Sequence, residues 1–419
     1  MSQLRRRLDN ARVCAILTQY DHHDLTLTAA VAQLGVQRRQ FFNLLHAFRG
    51  DAASFSIAYE RAHTTRIGAE AERHIREALE RDQSFIADPQ MPIRTYNDSA
   101  IRDDLHRSHQ ITVSAETIRK RAKAWGFWMP RPERRVHDRI VATDHAGELI
   151  QHDSSHHRWS PYVEAMWYGI TSLDDCSRLL LSADLRERET SWTHIAALKG
   201  AMIRYGIPLR YYVDNHSIFR YIERAPSIHH REGPGTDEVD PQWKRVLKDL
   251  SVDVTYAMAP QAKGKIERPY RWMQDRVVRR CAAEDVRDFA GAQRIFGEER
   301  ERYNTRQVHS TTHEVPIMRF ERLLREGKTM LRPFLLPKPY AHLNDVFCLR
   351  EERVVDGYRK ISFHGVAITL SGVLPRQTVE LRYSPAAQEG LTEVRVWYRT
   401  QRLFEVKYVK TDQLRGVQF

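Results

Sequence analysis

The sequence predicts a multidomain protein with N-terminal helical helix-turn-helix units, an α/β core with a mixed sheet, and a small C-terminal β-barrel. Apolar residues recur at helical spacing in the first 125 residues. From residue 148 to residue 281, strand and helix patterns follow in the order βββ-α-β-α-β-α, which is typical of a sheet with helices packed on it. In the last eighty residues, polar and apolar side chains alternate as in half-buried strands.

The chain has 419 residues, which is enough for several domains. The first two predicted units are a helix-turn-helix unit and a second helical unit with a basic linker. An α/β core, a helical extension and the small β-barrel follow. The predicted bounds of these five units are 1–60, 61–140, 141–285, 286–332 and 333–419.

Composition restricts the classes of function. The 66 Lys and Arg residues exceed the 54 Asp and Glu residues, so the net charge of +12 indicates a polyanionic partner. No apolar run reaches the roughly 18 to 20 residues of a membrane span, and the N-terminus has no apolar segment typical of a secretory signal. The four cysteines form no CxxC pair, which argues against a disulfide framework and favours a reducing cytoplasm.

The first helical pattern resembles a DNA-binding helix-turn-helix. A short apolar helix ends at Gly35, and the next helix buries one apolar face. Arg38, Arg39 and Asn43 lie on its other faces, where they are candidates for DNA contacts. An ordinary helical hairpin is the alternative.

A second pair of helices repeats this pattern before the core. Ser99 and Ser114 are candidate N-caps of the two helices. Arg119, Lys120 and Lys123 are predicted to face outward from the second helix, and basic residues continue to Arg139 through a proline-containing linker. Clustered charge beside a possible helix-turn-helix favours phosphate contacts over a merely solvated face.

Three carboxylates in the α/β section have positions that suggest a common site. Asp153 ends the first strand, Asp214 ends the fourth, and Glu267 lies in the first turn of the last helix. The ends of neighbouring strands in an open sheet meet at one crevice. If the first and fourth strands are neighbours, the two aspartates meet there and a helix crossing that edge can add the glutamate.

A cluster of oxygen ligands suits hard divalent cations. Carboxylates that repel one another need cations, and two Mg²⁺ or Mn²⁺ ions in such a site support phosphoryl transfer. The helix of Glu267 carries four basic residues that we predict to contact DNA, namely Lys263, Lys265, Arg268 and Arg271. Zinc is disfavoured, because His152, His156 and His157 lack matching cysteines or a helical HExxH motif. Asp174 and Asp175 are interpreted as turn residues with structural or phosphate-side roles.

Three segments resemble the motifs of DDE transposases in the retroviral integrase superfamily, especially bacterial insertion-sequence transposases of the ISNCY type. They are ELIQHDSS, GIPLRYYVDNHSIF and APQAKGKIERPYRWMQDR. The resemblance implies an RNase H-like core and divalent-metal-dependent cleavage and transfer of DNA strands. It also implies double-stranded DNA as partner, a homo-oligomer on that DNA, and a location on the nucleoid. The 220–240 loop lengthens the usual spacing between the last two carboxylates.

The predicted function is therefore that of a transposase or integrase acting in DNA integration or transposition. Two alternatives remain open at this point. The helix-turn-helix units and basic linker also fit a non-catalytic, sequence-specific DNA-binding regulator. A nuclease of the same RNase H-like fold would carry the same carboxylates.

Overall fold

The computed structural model describes residues 4, 7–58, 67–129, 143–214, 241–257, 264–399, 401–403, 406–417 and 419. Lys263, the linker after residue 129 and the predicted 220–240 loop lie outside these described residues. The described chain divides into two compact units, Met1–Glu77 and Ala78–Phe419. Within the described ranges, no helix combines the length and the apolar character that crossing a membrane requires.

The first unit is a small helical bundle. Its three helices are α1 (Asn10–Asp21), α2 (Leu27–Leu34) and α3 (Arg38–Gly50). Gly35 ends α2 with a left-handed backbone at φ 58°, which glycine adopts without steric cost. The helices lie where the sequence predicted them, and their use as a DNA-binding helix-turn-helix stays a prediction.

Three further helices precede the sheet, namely α4 (Ala69–Ala87), α5 (Asp98–His109) and α6 (Ala115–Ala124). Ser114 caps α6 as predicted, because its side chain accepts a hydrogen bond from the Thr117 amide. The predicted cap of α5 was wrong by two residues. Asn97 fills that position and accepts from the Ala100 amide, since helix termini need a side-chain acceptor just before the first turn.

A five-stranded mixed sheet forms the centre of the second unit. Its strands are β1 (Ile150–His157), β2 (Trp167–Asp174), β3 (Leu180–Arg186), β4 (Arg210–Val213) and β5 (Asp253–Tyr256). The strand order is β3-β2-β1-β4-β5, so the first and fourth strands are neighbours. β1 pairs antiparallel with β2 and parallel with β4, which confirms the predicted mixed sheet.

Helices cover both faces of this sheet. α7 (Ser191–Tyr205) and α8 (Gln242–Asp249) contribute to the apolar core on one face. α9 (Gly264–Ala283) and α10 (Phe289–Arg306) contribute to the core on the other. The chain then continues into α11 (Pro316–Arg325).

The C-terminal region is rich in strands, as predicted. After α12 (Leu343–Val346) come β6 (Leu349–Val354), β7 (Lys360–Phe363), β8 (Val366–Thr369), β9 (Thr378–Pro385), β10 (Leu391–Tyr398), β11 (Gln401–Arg402) and β12 (Lys407–Lys410). β6 pairs with β9, whereas β7 pairs only with β8 in a separate hairpin. The predicted barrel is not confirmed, because no pairing among the described strands closes the sheet.

Candidate active site

Asp214 directly follows β4 as predicted, but the prediction that Asp153 ends the first strand was wrong: β1 keeps pairing with β2 as far as His157, so Asp153 lies in the middle of the strand. In the parallel pair of β1 and β4, Gln151 lies opposite Tyr212. Continuing this register by two residues sets Asp153 opposite Asp214, the first residue after β4. Adjacent strands are about 4.8 Å apart, and residues in register on parallel strands project to the same face. The continued register therefore directs Asp153 and Asp214 to the same face of the sheet, and their use as a carboxylate pair stays a prediction.

Hydrogen bonds identify which face this is. Gln151 Oε1 accepts from the Ile266 amide at 3.1 Å, and Ser155 Oγ accepts from Gln274 Nε2 at 2.9 Å. Both partners belong to α9. Because side chains alternate along a strand, Asp153 lies on the α9 side between Gln151 and Ser155.

Tyr270 fixes α9 to the strand at the first aspartate. Its buried hydroxyl donates to the backbone carbonyl of Asp153 at 2.6 Å and accepts from Thr171 Oγ1 at 2.7 Å. Burial raises the pKa of Tyr270 well above its ordinary value, and the charge of Asp153 adds to the shift, followed by smaller effects of Glu189 and Asp214.

Glu267 precedes Tyr270 by three residues and lies in the first turn of α9. Its carboxylate forms an ion pair with Arg271 Nη2 at 3.1 Å, and its side chain is 44% exposed. Among the described residues, no three His, Cys, Asp or Glu side chains lie close enough together to hold a metal ion.

A buried ion pair holds the start of α9. Lys265 Nζ lies 2.6 Å from Asp175 Oδ2, and the Asp175 side chain is fully buried. Gln151 Nε2 donates to Asp175 Oδ1 at 2.7 Å while its Oε1 receives the Ile266 amide. Burial lowers the pKa of Lys265, and Asp175 opposes that shift. A DNA contact by Lys265 would have to compete with this ion pair.

The opposite face of β1 carries a polar chain that sequence reasoning missed. His152 Nδ1 and Ser172 Oγ are hydrogen-bonded at 2.8 Å, as are His152 Nε2 and His194 Nδ1. His194 Nε2 lies 3.0 Å from Glu189 Oε1, which also accepts from Ser154. No sequence motif marks Glu189; its one local signal is that it precedes Thr190, the N-cap of α7.

The other residues of the second unit that were predicted to contact DNA differ in their exposure and in whether another side chain already pairs with them. Lys120 and Lys123 are exposed on α6. Arg119 is paired with Asp98 at 3.0 Å and with Glu116 at 3.2 Å. On α9, Arg271 holds Glu267, and the exposed Arg268 donates to Thr311 at 2.6 Å. In the first unit, Arg38, Arg39 and Asn43 are all exposed on α3.

The chain is similar to two curated transposases. It is 28% identical over 347 residues to the putative transposase y4bF of Sinorhizobium fredii, a match that covers 83% of this chain and 69% of that protein. It is 30% identical over 145 residues to the transposase for insertion sequence IS1202 of Streptococcus pneumoniae, which covers 34% of this chain and 29% of that protein. These relatives confirm the resemblance to transposases that the motifs indicated. No family model matches the chain.

Some of the solved structures that resemble this chain are retroviral integrases. The HTLV-2 integrase catalytic core domain in complex with magnesium is 14% identical, with a TM-score of 0.31, covering 41% of this chain and 95% of that one. An intasome of simian T-cell lymphotropic virus with a PP2A regulatory subunit is 14% identical, with a TM-score of 0.34, covering 73% and 95%.

Proposed function

We propose that this protein is a transposase that cleaves and joins DNA strands, with Asp153, Asp214 and Glu267 as its catalytic carboxylates. The observation that supports the proposal is the parallel register of β1 and β4, which, continued by two residues, sets Asp153 of β1 opposite Asp214 just after β4. The hydrogen bond from the Tyr270 hydroxyl to the Asp153 carbonyl holds the helix of Glu267 against β1. The similarity to a transposase over 83% of the chain supports the same conclusion.

The residues present fit divalent metal ions. Carboxylate oxygens are the ligands that Mg²⁺ and Mn²⁺ prefer, and the three side chains offer enough of them for two ions. When bound, two such ions activate the attacking oxygen and stabilise the leaving oxygen. Asp153 is fixed within β1 and Asp214 directly follows β4, whereas Glu267 has to exchange Arg271 for the metal site.

The proposed reaction has two displacement steps at phosphorus. Water attacks a phosphodiester at the end of the mobile element, and the bond to the 3′ oxygen breaks. The freed 3′ hydroxyl then attacks a phosphodiester of the target DNA and displaces its 3′ oxygen. Neither step attaches DNA covalently to the protein, so the carboxylates act by holding the reacting groups in line.

Exposed basic residues are proposed to hold the DNA. Arg38, Arg39 and Asn43 on α3 form one candidate surface, and Lys120 and Lys123 on α6 form another. Two element ends have to be cut and joined together, so the active form is proposed to be a homo-oligomer on double-stranded DNA. Its place of action is then the bacterial nucleoid.

The test is strand cleavage by single carboxylate variants. DNA carrying the ends of the element that encodes this chain is incubated with Mg²⁺ or Mn²⁺ and full-length Asp153→Asn, Asp214→Asn or Glu267→Gln protein. We expect metal-dependent cleavage to be lost in each variant while DNA binding persists. Glu321→Gln, at an exposed position on α11, is the matched control and should cleave like the wild type.

The alternatives predict other outcomes. A non-catalytic regulator would bind the element ends without nicking them in either metal, which would contradict the proposal. A nuclease specific for RNA in hybrids would cleave RNA–DNA hybrids and leave duplex DNA intact. Full cleavage by Asp153→Asn would show that the carboxylate pair is not the active site.

A further inference from the structure

The second half of α9 packs against the helical region before the sheet through buried ion pairs. Arg279 Nη1 lies 2.5 Å from Asp82 Oδ2 of α4. Arg276 is paired with Asp103 of α5, which also lies 2.5 Å from Arg302 Nη2 of α10. The side chains of Arg276 and Arg279 are only 4% and 6% exposed. Buried charges need such partners, so this contact has one defined geometry.

The first turn of α5 is fixed to the same helix. Asn97 caps α5 through its side-chain oxygen and donates its side-chain N–H to Asp275 of α9. Asp275 in turn accepts from Arg279 Nε at 3.0 Å. Apolar contacts surround these polar groups, because one buried cluster joins Phe85, Met91, Ile93, Val278 and Ala282. We call the contact of Asp82, Asn97 and Asp103 with Asp275, Arg276 and Arg279 the docking surface.

α6 is held by α5 in its turn. Arg119 Nε of α6 lies 3.0 Å from Asp98 Oδ2 of α5. Ile118 and Ala122 are buried on α6, as are Ile101 and Leu105 on α5. The exposed Lys120 and Lys123 therefore lie on a helix that packs on α5, which is itself held to α9 by buried ion pairs.

Glu267 lies on the same helix as the docking surface. Arg276 follows it by nine residues, which corresponds to about 14 Å along the helix axis. The helix runs from Glu267 to Arg276 without a break although Pro269 lies between them, and its beginning is fixed independently by Lys265 and Tyr270. The position of the α6 lysines relative to Glu267 is therefore set within one chain.

We propose that the docking surface determines where the DNA is cut. By holding α6 at a fixed distance from Glu267, it fixes the number of base pairs between the sequence that α6 contacts and the phosphodiester that is cleaved. This inference rests on the proposed function. Asp103 and Arg276 are positioning residues in this proposal. They touch neither the DNA nor the reacting atoms, and they act on the cleavage position by holding α5 against α9.

The test compares cleavage positions in full-length protein. Asp103→Arg places a cation against Arg276 and Arg302 and should release α5 without changing the sequence of α9. We expect the cuts to spread from one phosphodiester over several neighbours. The exchange Asp103→Arg with Arg276→Asp should restore a single position. Glu301→Arg, an exposed position on α10, makes the same charge change and should leave the position unaltered.

A second measurement does not depend on catalysis. Glu267→Cys, with the partly exposed Cys14 replaced by serine, is labelled with an iron chelate that cuts nearby DNA by hydroxyl radicals. We expect a narrow window of radical cuts in the docked protein and a window at least twice as wide after Asp103→Arg. An unchanged window, or unchanged cleavage positions in Asp103→Arg, would overturn the inference. If the wild-type protein showed no metal-dependent cleavage, the proposed function would be overturned instead.

Discussion

Replacing Tyr270 with phenylalanine tests how the glutamate helix is positioned. The change removes one hydroxyl that donates to the Asp153 carbonyl at 2.6 Å and accepts from Thr171 Oγ1 at 2.7 Å. Each hydrogen bond contributes about 1 kcal/mol, and Thr171 is buried, so its hydroxyl loses a partner that water cannot replace. We expect the free energy of unfolding of the second unit to fall by about 2 kcal/mol.

The effect on cleavage follows from the same hydrogen bonds. Without the anchor, the helix of Glu267 is held less tightly against the strand of Asp153, and a loss of about 1 kcal/mol in the transition state corresponds to a roughly fivefold slower reaction. We also expect the Mg²⁺ concentration for half-maximal cleavage to rise, since the third carboxylate is less well placed. A merely structural tyrosine would leave that metal dependence unchanged.

Urea denaturation and single-turnover cleavage of end DNA measure the two effects. Tyr303→Phe is the matched control, because the buried Tyr303 hydroxyl has no hydrogen-bond partner within the described part of the chain. Its removal should leave cleavage unchanged and stability equal or higher. If Tyr270→Phe cleaved with wild-type rate and metal dependence, the positioning argument would be refuted even if stability fell.

Three further outcomes are expected. Asp175→Asn leaves Lys265 without its buried partner, so urea denaturation should show about 3 kcal/mol less stability; a loss below about 0.5 kcal/mol would contradict the importance of this pair. Burial raises the pKa of Asp82 to about 6, so this carboxylate binds a proton more tightly in the folded protein than in the unfolded chain. Stability should therefore fall by roughly 3 kcal/mol as the pH rises from about 4 to about 6, and Asp82→Asn should lack this difference. Lys120→Ala with Lys123→Ala should make the dependence of log K for DNA on log salt less steep by about 2, and an unchanged slope would exclude both phosphate contacts.

Much of the core could be predicted because its elements depend on local patterns. The strand and helix order follows from periodicity. The adjacency of β1 and β4 was a condition that the sequence left open, and the strand order meets it. The ion pair of Glu267 with Arg271 was also accessible, since Glu and Arg four residues apart on a helix face each other.

Long-range partners could not be predicted in this way. A lysine beside a predicted active site suggests DNA, yet Lys265 is held by Asp175, which is ninety residues away in the chain. Nothing local distinguishes a lysine that contacts phosphate from one that closes a buried ion pair. The C-terminal strands illustrate a similar limit: alternation predicts strands, but closure of a barrel depends on pairings between distant segments, and β7 pairs with β8 instead of β6.

The spacing of one row of positions explains how α9 contacts two neighbours. The Ile266 amide and the side chains of Tyr270 and Gln274 contact β1, and these positions recur every four residues. Four residues advance about 400° around a helix, so the row turns by about 40° at each step. By Val278 it has turned about 120° from its start, and there it packs against Phe85 and its neighbours. One inserted residue between positions 274 and 278 would rotate the two ends by about 100°, and either β1 or α5 would lose its contacts.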